Sequence, residues 1–179
     1  MNDFKLHTQE TAPEESKLLL EKSVNAFGMI PNLHAVMAEA PALLESYQEA
    51  HRLFQETSFN AEELTVVWQT INIEHGCHYC IPAHTAIAHM MKVDDSITEA
   101  LRNNNTLKDP KLETLRATTL AMVRNRGVLS TQNKEAFYTA GYSNQQLLEI
   151  VLGLAQKVMS NYTNHLAGTK VDSAFAKYI

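Results

Sequence analysis

The chain has 179 residues, 45% of them hydrophobic and 20% charged, with a formal net charge of -5 and only two cysteines. These are the proportions of an ordinary globular protein, large enough to bury roughly 70% of its unfolded surface without a covalent staple. An acidic balance without Lys/Arg clusters speaks against a nucleic-acid partner, and neither a secretion-signal core nor a run of roughly 18 apolar residues is present, so we expect a cytoplasmic protein that engages no membrane.

Start and stop signals divide the chain into helices. Thr11 and Pro13 open a helix through EESKLLLEKSVNAF, which Gly28 closes ahead of Pro31. After Pro41, ALLESYQEAHRLF sets Leu43, Leu44, Tyr47, His51 and Phe54 on one helical face, with His51 read as a core histidine. Asn60 and Glu63 form a capping-box pattern ahead of a helix with Leu64, Val67, Trp68 and Ile71 as its apolar stripe, and Gly76 ends it. Pro82 belongs in a first turn, so the next helix begins near Cys80.

Asp109-Pro110 starts, and Gly127 stops, a helix carrying Leu112, Leu115, Thr119, Met122 and Val123. Ser130 and Gly141 bracket another, and Ser143 with Gln146 repeats the capping box before LLEIVLGLAQKVMSNYTNHLAG, the longest apolar helical stretch. With no alternating strand pattern, the expected fold is all-α, one domain over residues 1–179 of about seven helices. There is also an internal echo. FNAEELTVVWQTINIEHGCHYC aligns without gaps on YSNQQLLEIVLGLAQKVMSNYT, placing Cys77 on Ser160 and Cys80 on Thr163. It reads equally as a duplication or as two amphipathic helices matched by chance.

The chemistry concentrates in GCHYCIPAH. Gly76 closes one helix and Cys80 opens the next, so backbone N–H groups of the new helix face the thiols and favour a thiolate. His84 stands one turn beyond Cys80, where an imidazole can take the thiol proton. A thiolate so placed attacks a peroxide O–O bond, and the sulfenic acid formed condenses with the neighbouring thiol. Two other readings stand beside this one. Cys77, Cys80, His84 and a further histidine would make four zinc ligands, although the chain lacks a second C-x-x-C. Two cysteines can also be small buried apolar residues.

GCHYCIPAHTAIA, with GMIPNLHAVMAEAPALLESYQEAH before it and NYTNHLAGTKVD near the end, resembles the carboxymuconolactone decarboxylase family in its alkylhydroperoxidase D-like, peroxidase-related branch. The resemblance spans nearly the whole chain. It implies an all-helical fold, assembly as trimers or hexamers, and an antioxidant thiol peroxidase or disulfide reductase acting on alkyl hydroperoxides or hydrogen peroxide. Cys80 would attack, Cys77 would resolve and His84 would belong to the proton relay, with no cofactor or metal and with a thiol or lipoyl-bearing partner as reductant.

Two positions depart from the family pattern. Thr65 stands where the relay glutamate belongs, and Tyr79 where a relay histidine belongs, with His78 one place earlier. Glu63, Glu74, His78, Tyr79 and His165 are the remaining relay candidates. The competing functions are the family's lactone decarboxylation, which needs no thiol pair, and a non-catalytic redox sensor.

Overall fold

In the computed structural model residues 4–179 are described, so the expected domain over residues 1–179 is seen from Phe4 onward. Among the described residues there are nine α-helices, a terminal 3-10 turn at Ser173–Tyr178 and no strand: α1 (Glu14–Phe27), α2 (Asn32–Met37), α3 (Pro41–Gln55), α4 (Ala61–Glu74), α5 (Cys80–Met90), α6 (Asp95–Arg102), α7 (Pro110–Arg124), α8 (Thr131–Thr139) and α9 (Asn144–Ala167). The all-α expectation is met, with more helices than anticipated. The short α2 and α6 span less than three turns each, too little for a period to emerge.

Most stop and start signals act as read. Both capping boxes form, Asn60 with Glu63 at α4 and Ser143 with Gln146 at α9, and Asp109 caps α7 through the amide of Lys111. Thr11 is the exception. Its hydroxyl accepts from the Thr8 amide at 2.9 Å and its carbonyl from His7, so it closes the preceding turn while Pro13 alone precedes α1.

Helix α4 lies at the centre, against α5, α6, α7 and α9. Its stripe residues Leu64, Val67, Trp68 and Ile71 join Phe54, Leu112, Leu115 and Phe137 in one apolar cluster. A second cluster forms where α1, α2 and α3 meet the start of α5, from Leu20, Leu33, Met37, Leu44, Tyr47 and both cysteines. Helices α3 and α9 pack closely at Gly153, where an added Cβ would lie 2.7 Å from the Phe54 ring. The thiols thus belong to the second cluster, with Asn164 of α9 against them.

Candidate active site

The loop that carries the thiols is built by a helix ending. Gly76 adopts φ +61°, its amide donates to Ile73 O at 2.9 Å, and the Cys77 amide donates to Asn72 O at 2.9 Å. This paired closure satisfies two of the last carbonyls of α4 and drops Cys77 just past its end. Three residues later α5 begins, and the Cys80 amide donates to Cys77 Sγ at 3.3 Å. The helix start therefore faces sulfur, as the position of Pro82 implies.

Both cysteines are free thiols, and both are buried. They differ in what they face. Cys80 lines a cavity of about 1030 Å³ walled by α1, α3 and α5, together with His34, Tyr47, His51, Tyr79 and His84, whereas Cys77 lies outside that lining. Burial by itself would push the Cys80 thiol up, but the Cys77 hydrogen bond, the charge of Lys157 and the polar side chains of Ser160 and Asn161 bring it down to about 5. Cys77 is pushed up, first by its hydrogen bond to Cys80 and then by burial. One sulfur is thus set up as the thiolate and the other as the retained thiol.

The polar groups around the pair come largely from α9. Gln156, Lys157, Ser160, Asn161 and Asn164 recur on one face, and all five are fully buried. Asn164 Nδ2 donates to Cys80 Sγ at 3.3 Å and lies 3.9 Å from Cys77 Sγ. Asn161 Nδ2 donates to Asn72 Oδ1 at 3.0 Å, while Asn72 Nδ2 donates to Gln69 Oε1 at 3.1 Å. Gln69 Nε2 completes the chain with bonds to Ile81 O and Thr85 Oγ1, both at 3.1 Å. This run of amides ties α9, α4 and the first turn of α5 together, and such buried networks fix a single geometry because every broken member leaves another unsatisfied. Trp68 Nε1 donates to Gln156 Oε1 at 2.9 Å, and its indole stacks on His51 with centroids 5.3 Å apart.

His84 sits beside Cys80 as the helical spacing requires, yet its ring nitrogens are engaged elsewhere. Nδ1 lies 3.2 Å from Cys80 O, and because a carbonyl only accepts, that nitrogen carries the hydrogen. Nε2 keeps the lone pair, and Lys157 Nζ donates to it at 3.2 Å. Neither nitrogen is left for a metal ion. Among the described residues no group of three or more His, Cys, Asp or Glu side chains is placed to hold one. Burial first, and then the Lys157 charge, push His84 well below its ordinary value.

The relay candidates are dispersed. Glu63 stays in its capping box and pairs with Lys111 at 3.2 Å, roughly 16 Å along the α4 axis from Glu74. Glu74 forms a two-bond pair with Arg124 at 2.8 and 2.9 Å. His78 is exposed and donates to Thr169 O at 2.8 Å, and His165 points outward from α9. Tyr79 is buried beside the thiols, where its hydroxyl donates to Asp172 Oδ2 at 2.5 Å. Thr65, at the position of the family glutamate, spends its hydroxyl on Ala61 O at 2.9 Å. Among the described residues no carboxylate acts on the sulfurs in place of that glutamate; the charged residue that does is Lys157, which sequence reasoning missed.

The sequence matches no family model and no curated protein. Solved structures do match. The core structure of an alkylhydroperoxidase AhpD, a peroxidase-related protein from Ralstonia eutropha JMP134, superposes with a TM-score of 0.83 at 15% identity over 98% of this chain and 96% of that one. The chain has the alkylhydroperoxidase D fold. A peroxidase-related protein from Silicibacter sp. TM1040 shares this fold (TM-score 0.80, 16% identity, 97% of this chain and 92% of that one). So does the apo debrominase Bmp8 (TM-score 0.82, 16% identity, 99% and 96%). A cysteine-to-alanine variant of Bmp8 bound to 2,3,4-tribromopyrrole gives a TM-score of 0.81 at 16% identity over 98% and 94%. The fold expected from GCHYCIPAHTAIA and its flanks is the one found.

Proposed function

We propose that the chain is a dithiol oxidoreductase of the peroxidase type, acting on organic hydroperoxides. One observation carries this reading: Cys80 opens onto the cavity while Cys77, fully buried, stands behind it within hydrogen-bond reach. The Cys80 thiolate attacks the distal oxygen, the O–O bond breaks, and the departing alkoxide takes up a proton to leave as alcohol. The Cys80 sulfenic acid then condenses with the Cys77 thiol, releasing water and closing a disulfide, which an external thiol or lipoyl-type dithiol reduces.

A cavity of about 1030 Å³ far exceeds what hydrogen peroxide needs and suits a ligand with a bulky organic group. The test is consumption of cumene hydroperoxide with dithiothreitol as reductant. Cys80→Ser should abolish it, and Cys77→Ser should leave a sulfenic acid that dimedone traps; undiminished turnover by Cys80→Ser would sink the proposal.

A second reading uses the same thiol pair. The cavity also fits a halogenated ring, and the Bmp8 debrominase, which shares the fold, is seen with a bromopyrrole. Two thiols would supply two electrons, replacing a carbon–bromine bond by carbon–hydrogen, with bromide and a proton leaving and the disulfide formed. Bromide release from a bromopyrrole without peroxide consumption would select this reading.

We further propose that copies of the chain associate. Leu148, Val151, Tyr162 and Leu166 form an exposed apolar stripe along α9, opposite its buried polar face. Light scattering should show more than a monomer, and Leu166→Glu should lower the mass.

A further inference from the structure

Lys157 is fully buried, yet among the described residues it has no carboxylate partner. It donates to His84 Nε2 at 3.2 Å and has Cys80 within hydrogen-bond reach, while an ammonium carries three N–H donors. An unpaired cation in such a place is costly, so it persists only where an anion lies against it. The groups facing it leave one candidate. Against it stand His84 and Cys80 from α5, His51 from α3 and Cys77 from the loop before α5, while His34, Tyr47 and Tyr79, whose hydroxyl is given to Asp172, line the cavity onto which Cys80 opens.

His34 is lowered to about 3 and His51 to about 4, in both cases first by burial, and Tyr47 is pushed up. These neighbours are neutral at pH 7. Burial also lowers Lys157, but the two sulfurs, Cys80 foremost, work against that.

Resting on the redox reading above, we propose that Lys157 is the positioning cation of this site: the proton that leaves Cys80 is held on its ammonium against His84 Nε2, and this lysine replaces the carboxylate relay of the fold. The reduced site is then a Cys80 thiolate with a Lys157 ammonium, neutral as a pair. The proton balance of turnover follows. Attack on the hydroperoxide turns the thiolate into a sulfenic acid and creates one alkoxide; the proton that alkoxide takes up is the one Lys157 no longer retains once its anion is gone. Reduction of the disulfide by an external dithiol returns two protons, one to the Cys77 thiol and one to Lys157, while Cys80 departs as thiolate.

His84 keeps a supporting part. Its Nδ1 hydrogen is committed to Cys80 O, which presents the Nε2 lone pair to the lysine. A merely structural lysine would affect stability and leave sulfur ionisation alone, so the test reads ionisation. The reduced protein is titrated by thiolate absorbance at 240 nm and by iodoacetamide labelling, localised to Cys80 by tandem mass spectrometry.

Lys157→Met should raise the Cys80 midpoint by about two units, whereas Lys157→Arg should keep it within about one unit of wild type. A Lys157→Met midpoint equal to wild type in a folded protein would overturn the assignment. Should the methionine variant fail to fold, the wild type decides alone: the thiolate band at pH 7 is expected, and its absence refutes the pair. No peroxide enters this titration. A normal titration with absent turnover would remove the peroxidase reading and keep the pair; the reverse would remove the pair and keep the disulfide chemistry.

Discussion

Replacing Asn164 by Leu separates the stability of the fold from the ionisation of its sulfur. Nδ2 of Asn164 donates to Cys80 Sγ at 3.3 Å, and when that sulfur is a thiolate the bond is charge-assisted and worth about 1.5–3 kcal/mol. At about 1.4 kcal/mol per pKa unit, its loss moves Cys80 from about 5 to about 6 or 7. Thiolate-dependent alkylation at pH 5.5 should therefore fall by about three- to 25-fold, while at pH 8 it should hardly change. Stability sets a gain against that loss. Asn164 Oδ1 is buried with no hydrogen-bond partner, so exchanging the amide for a near-isosteric apolar side chain removes an unsatisfied acceptor that costs about 1–3 kcal/mol. At pH 8 this gain opposes the lost thiolate bond, so the Leu variant should lie within about 2 kcal/mol of wild type in thermal denaturation. Asn164→Asp is the control of opposite character, because a carboxylate beside the sulfur raises Cys80 further. An unmoved alkylation midpoint in Asn164→Leu, or a loss of more than about 2 kcal/mol, would refute this account of the residue.

Gly153→Ala gains about 1 kcal/mol of helix propensity but drives a methyl into the fully buried Phe54 ring, held by Phe59 and Trp68; overpacking of about 1–3 kcal/mol should win, lowering Tm by a few degrees in calorimetry. Stability should also fall on acidification. His34 and His84 have folded pKa values below their unfolded 6.5, so the unfolded chain binds more protons; the stabilisation is complete above pH 6.5, and by pH 5 His34 costs about 2 kcal/mol and His84 adds a loss of the same sign, measured by urea denaturation against pH. The depressed Cys80 thiol adds a loss of the same sign as pH falls from the ordinary thiol range toward about 5. Tyr79→Phe withdraws a donor from the buried Asp172, which keeps the Asn32 amide, and should destabilise by about 1–3 kcal/mol while amide exchange rises in Ser173–Tyr178.

The helices that could be read from the sequence are those whose ends are written locally. A capping box needs only Asn60 and Glu63, or Ser143 and Gln146, three residues apart, and both act as written because the bonds involved lie within one turn. Thr11 shows the limit of that logic: the same residue type that caps helices also closes turns, and the neighbouring Thr8 and His7 decide the outcome. The internal echo is legible at the same local level. Phe59 and Tyr142, one residue ahead of each box, meet with ring centroids 6.4 Å apart, but α4 stops at Glu74 whereas α9 continues to Ala167.

The site was half legible for a related reason. C-x-x-C and the turn to His84 are local spacings, and they bring the three side chains to one place. What each sulfur and nitrogen then faces depends on α9, more than seventy residues away in sequence. Its second half looks like a helix with an apolar core face and a solvated polar one, and in the structure those faces are exchanged. The sequence does hold a trace of this. The stripe Gln156, Ser160, Asn164, with Lys157 and Asn161 beside it, carries amides, one hydroxyl and a single cation, a set that finds more hydrogen-bond partners inside a protein than a surface made of Glu and Lys would. A helix reversed in this way has two unmet needs, a polar lining that must be satisfied inside and an apolar stripe that must be covered outside. The thiols and Asn72 answer the first, and a second copy of the chain is the answer we propose for the other.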